Sequence, residues 1–103
     1  MVDLNPIRGH EQGGKRPGLV VSVDPFNHGP AGLVVLIPIT SVPKGIPFHV
    51  EVMPPEGGLQ KKSFVKCEDV RSVSRDRLWK RLGTVSAGTL AQVEDRLRIL
   101  LGL

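Results

Sequence analysis

Gly9-His10-Glu11-Gln12-Gly13-Gly14-Lys15-Arg16-Pro17-Gly18-Leu19-Val20-Val21 is a polar loop that runs without pause into a strand. Its first part gathers an imidazole, an acid, an amide and two cations around a Gly-Gly pair, a mixture that no apolar core absorbs. Gly13 and Gly14 permit positive φ and let the backbone approach a ligand closely. Pro17 fixes its own φ and pushes Arg16 into an extended conformation. The β-branched residues that follow read as a buried strand, Leu19 to Val23. Arg16 therefore stands where a loop meets a strand, and loops carried on a rigid scaffold are where binding and catalysis concentrate.

Outward from that stretch, Leu33 to Ile39 is the most continuous apolar run and reads as a central strand. Pro38 near its end cannot donate to a ladder, which calls for a bulge or an edge there. Asp24 to Pro30 is a loop on composition. Pro47 to Val52 alternates apolar with polar, the pattern of a half-buried strand. Pro54-Pro55-Glu56-Gly57-Gly58 is a turn. Ser63 to Cys67 and Asp69 to Val73 are strand-like runs joined through Glu68, and Ser74 to Arg77 suits a helical turn before Leu78 to Leu82. Ser86 is a candidate N-cap for one long helix, with Leu90, Val93, Leu97, Leu100 and Leu101 spaced along a single face. The fold class is mainly β with a small α part: a strongly bent, barrel-like sheet covered by a C-terminal amphipathic helix.

Composition narrows the function. The 103 residues make one domain, 1–103, and a net charge of +4 favours an anionic partner. A lone cysteine, Cys67, precludes an internal disulfide and points to a cytoplasmic location. No apolar run reaches the roughly 18 residues of a membrane span, and Met1 opens no secretory leader. His10, His28 and His49 are scattered without ligand spacing, so neither a metal nor another cofactor is expected. His49, between Phe48 and Val50, reads as a solvent-facing strand residue, and Cys67 as a packed, inert thiol.

What remains is a cation, a hydroxyl and an acid: Arg16, Thr40 beside Ser41, and Glu11 or Glu68. A guanidinium can grip a phosphate with two parallel hydrogen bonds. A threonine hydroxyl adds a donor where charge grows in the transition state. A carboxylate or an arginine can accept the proton of a ribose 2′-hydroxyl. Without a metal, RNA is the better substrate, since it carries its own nucleophile. The same residue types also serve as a structural arginine and a capping threonine.

Three segments resemble the MazF/PemK (Kid) family of toxin ribonucleases. The Gly9 to Val21 stretch is similar to the family's signature loop and strand, Pro38-Ile39-Thr40-Ser41 to its second motif, and Lys66-Cys67-Glu68-Asp69-Val70-Arg71-Ser72-Val73 to its third block; Ser86 to Leu103 fits its closing helix. The resemblance implies an SH3-like barrel of the CcdB/PemK type, a homodimer, and metal-independent cleavage of single-stranded RNA to 2′,3′-cyclic phosphate and 5′-hydroxyl ends. It implies an acidic antitoxin as partner. Carried over by position, Arg16 is the acid-base and phosphate group, Thr40 stabilises the phosphorane, and Glu68 falls where some members place a base. Glu11, Gln12, Gly14, Lys15, Ser41 and Lys66 are implied to support the loop or contact RNA. Relatives begin with a longer strand before the position of Leu4, so the first strand is expected to be short and to leave an exposed edge. Lys66 replaces an arginine and Asp69 a glutamine, which weakens any bidentate role at Lys66. Two other readings share the barrel: a non-catalytic repressor component that binds nucleic acid or antitoxin, and a gyrase-directed CcdB-type toxin. The latter lacks the Glu-Gln-Gly-Gly-X-Arg-Pro loop.

Overall fold

Leu33–Thr40 forms the eight-residue strand β3, and every other part of the sheet is arranged around it. The computed structural model describes residues 2–4 and 16–103. Seven strands appear among them: β1 Val2–Leu4, β2 Arg16–Val20, β3, β4 His49–Val52, β5 Ser63–Lys66, β6 Arg71–Ser74 and β7 Leu78–Arg81. All pairings are antiparallel, in the order β4-β5-β3-β2-β1-β7, with β6 also on β3.

One edge of β3 pairs with β2, while the other pairs with β6 over Leu33 to Leu36 and then with β5 at Ile39 and Thr40. Pro38 lies in the gap between those two partners, a place that needs no ladder donor. The change of partner bends the sheet, so that Leu19, Ile37, Ile39, Val50, Val52 and Val65 point inward into one cluster. Cys67 is in that cluster and fully buried. Val34 and Leu36 form a smaller cluster on the opposite face of β3.

Ser86 caps the helix α2, Ala87–Leu101, its hydroxyl accepting from Thr89 N at 3.1 Å. Gly102 ends the helix in the left-handed conformation, at φ +73°. Its packed face differs by about one position from the face read in the sequence. Thr89 and Val93 are buried and Leu97 packs on the core, but Leu90 and Leu101 are exposed. Thr89 takes an inward place because Ser86 satisfies its hydroxyl. No helix among the described residues is long and apolar enough to cross a membrane.

Three further expectations change. Strand β2 runs from Arg16 to Val20 rather than Leu19 to Val23, because Leu4 pairs with Arg16 and the Ser22 hydroxyl takes over the Val35 N–H at 2.9 Å. Asp24–Asn27 is a one-turn helix, α1, with Pro25 in its first turn, where no N–H is needed. The exposed edge expected beside the first strand is absent among the described residues, since β1 pairs with both β2 and β7.

Candidate functional site

Arg16 opens β2 and Thr40 closes β3. Gly18 stands opposite Pro38, so two residues back along one strand and two forward along the other bring Arg16 and Thr40 level at the same end of the sheet. Both line a cavity of about 550 Å³, with Ser41 beside them. Arg16 is exposed and Thr40 half-buried. The Thr40 hydroxyl oxygen accepts from Val42 N at 3.2 Å, which fixes the side chain, and among the described residues no acceptor takes its proton, so it can donate into the cavity. The threonine thus caps the strand end and still has a donor to offer the cavity.

The facing wall is the turn between β4 and β5, with Gly58, Leu59, Gln60 and Lys61 on the lining. Gly58 has φ +74°, and a Cβ there would meet Leu82 O at 2.2 Å, so only glycine lets this turn close on the end of β7. Glu56 ties the turn to α2 by accepting from Ser86 N at 2.8 Å. Its hydrogen bonds, from Thr89 first and then Ser86, hold the carboxyl below its ordinary value. The described lining therefore carries two cations, Arg16 and Lys61, and no carboxylate. A singly or doubly charged anion such as a phosphate fits that balance.

Glu68 lies elsewhere. It sits in a 3-10 turn, Cys67–Asp69, and its Oε2 is 2.8 Å from His49 Nε2. Burial raises the Glu68 pKa, but the His49 hydrogen bond, its own backbone and the charges of His49 and Lys66 outweigh that and lower it overall. The His49 side chain is 3% exposed, so it is buried rather than solvent-facing. The turn folds Glu68 back over it, and its Nδ1 has no hydrogen-bond partner among the described residues. Lys66 is also outside the cavity, with Nζ 3.6 Å from Asp69, which Arg71 approaches to 3.0 Å. Burial and the Glu68 charge push the Cys67 thiol up to about 11. Among the described residues no group of three or more metal-ligating side chains gathers. Glu11, Gln12, Gly14 and Lys15 lie outside the described residues.

The structure therefore brings together Arg16, Thr40 and Ser41, and separates Glu68 and Lys66 from them. It adds Gln60 and Lys61, whose only sequence signal is a run of polar and basic residues straight after a turn.

A family model described as the PemK-like, MazF-like toxin of type II toxin-antitoxin systems matches residues 1–101. The chain is 37% identical over 107 residues to the endoribonuclease MazF9 of Mycobacterium tuberculosis, covering 99% of this chain and 91% of that protein. A crystal structure of MazF from Deinococcus radiodurans superposes with a TM-score of 0.80 at 41% identity, covering 99% of this chain and 92% of the other. A MazE-MazF crystal structure from the same organism gives 0.80 at 36% identity, over 99% and 90%.

Proposed function

The chain belongs to the PemK-like, MazF-like toxins of type II toxin-antitoxin systems, and from that premise we propose that it is an endoribonuclease in which Arg16 and Thr40 share the scissile phosphate of single-stranded RNA. What supports the reading is their place on one open cavity whose described lining is cationic and free of carboxylate. In the reaction the ribose 2′-hydroxyl gives its proton to solvent and its oxygen bonds to phosphorus, while the bond to the 5′-oxygen breaks and that oxygen takes up a proton from solvent, leaving a 2′,3′-cyclic phosphate and a 5′-hydroxyl. Negative charge builds on the non-bridging oxygens as the phosphorane forms. The Arg16 guanidinium grips those oxygens and the Thr40 hydroxyl donates to one of them. Lys61 adds positive charge across the cavity. Glu68, held at His49, is not assigned the 2′ proton within one chain; the described groups stabilise charge. No cofactor takes part in this scheme.

The same cationic cavity suits an acidic antitoxin segment, which would cover it and block RNA. MazE bound to the Deinococcus relative is the model for such a partner. A homodimer and a cytoplasmic location complete the proposal. The test is incubation of a long single-stranded transcript with the protein in excess chelator. Fragments with cyclic-phosphate and 5′-hydroxyl ends support the nuclease; intact RNA with a mobility shift replaces it with a non-catalytic binder.

A further inference from the structure

Phe64 is an aromatic side chain that, among the described residues, packs against neither core cluster. Its neighbours Ser63 and Val65 on β5 are buried, while Phe64 is half-buried on the opposite face of the strand. The register sets it directly opposite Thr40 on β3 and directly opposite Glu51 on β4. Directly opposed residues of antiparallel strands share a face, with Cβ atoms about 4.5–5.5 Å apart. Arg16, level with Thr40, extends the line, so one rung crosses four strands: Arg16, Thr40, Phe64, Glu51. Lys62 Nζ stands 6.0 Å from the ring centroid and 3.7 Å from Glu51 Oε1. Lys66 follows two residues along β5, on the face of Phe64.

A flat apolar ring one strand from the phosphate-binding hydroxyl, flanked by two lysines, is the arrangement that holds single-stranded nucleic acid without reading its sequence. We propose that Phe64 is a substrate-binding residue on which the nucleobase adjoining the scissile phosphate stacks, with Lys62 and Lys66 beside the neighbouring phosphates. The RNA then runs from the cavity over the rim of the sheet onto the outer face of β5. This inference rests on the assignment of Arg16 and Thr40 to the scissile phosphate.

To test it, a cleavage site is mapped with the wild-type protein on a long single-stranded transcript. A short oligoribonucleotide spanning that site then serves as substrate, intact or with an abasic nucleotide on one or the other side of the scissile bond. Phe64→Leu should raise KM about 5- to 150-fold, the range for one lost base-aromatic stack, with kcat little changed. Phe64→Trp should restore KM, and the penalty of Phe64→Leu should vanish on one of the two abasic substrates. Phe64→Met, also ringless, is measured in parallel so that poor folding of one variant does not decide the result. A wild-type KM in the ringless variants, or a penalty that persists on both abasic substrates, overturns the stacking role. Wild-type protein that cleaves no RNA overturns the nuclease reading itself, a failure seen before any Phe64 variant is made.

Discussion

Two polar corners of this sheet are treated in opposite ways. At one, His49 and Glu68 are joined at 2.8 Å, with the imidazole almost wholly buried. At the other, Arg16 and Thr40 face an open cavity, and no described carboxylate lines it. The Glu68 contact with His49 Nε2 is made within the chain, although Nδ1 of that ring has no partner among the described residues, whereas donors left facing solvent in a concave site have capacity to spare for a ligand. On the proposed reading the difference separates a structural pair from a binding pair more sharply than residue type does, since each corner holds one cationic or ionisable nitrogen group and one oxygen group.

The comparison breaks most directly at Arg16. Arg16→Ala should lower the cleavage rate by about 10³-fold or more, the scale set by arginines that stabilise phosphoryl transition states. The exposed position of Arg16 leaves the melting temperature near that of the wild type. A folded variant that still cleaves would remove Arg16 from the chemistry. Thr40→Val should cost less, about 10²-fold in kcat, by analogy with the loss of one oxyanion donor. Thr40→Ser, which keeps the hydroxyl and the bond to Val42 N, should recover most of the rate. If Thr40→Val cleaves normally and only the melting temperature drops, the threonine is a strand cap and nothing more.

The elements were largely legible in the sequence. The apolar run of β3, the cap at Ser86 and the Pro-Pro-Glu-Gly-Gly turn each announce themselves through local chemistry. The Cys67–Asp69 turn was less so: strand-like runs on both sides were visible, but not that the chain doubles back and lays Glu68 on His49. Alternation alone placed His49 outward, because a period of two says which face a residue takes and not what covers that face. The Arg16–Thr40 meeting depends on the β2–β3 register, which Gly18 and Pro38 fix only once the strands are paired. The Gly58–Lys61 wall was readable as a turn, but its partner across the cavity is set by long-range contacts to Leu82 and the start of α2.

Glu68→Gln is the smallest perturbation and the one that sharpens the contrast. If Glu68 belongs to a structural pair, the variant cleaves RNA at the wild-type rate while losing about 1 kcal/mol of stability, the scale of one hydrogen bond. For a domain of this size that is a fall of roughly 4–8 °C in melting temperature. The pH dependence carries a second signature. The native Glu68 carboxyl titrates below its ordinary value of 4.5, so between those values the unfolded chain binds the extra proton. Its contribution is therefore whole above pH 4.5 and drains away as the pH falls through the lower native value. The gap in stability between the wild type and Glu68→Gln should be widest near neutrality and should close in acid. A large loss of kcat with an unchanged melting temperature would move Glu68 from the structural corner to the reacting one, and the proton of the 2′-hydroxyl would then have its acceptor.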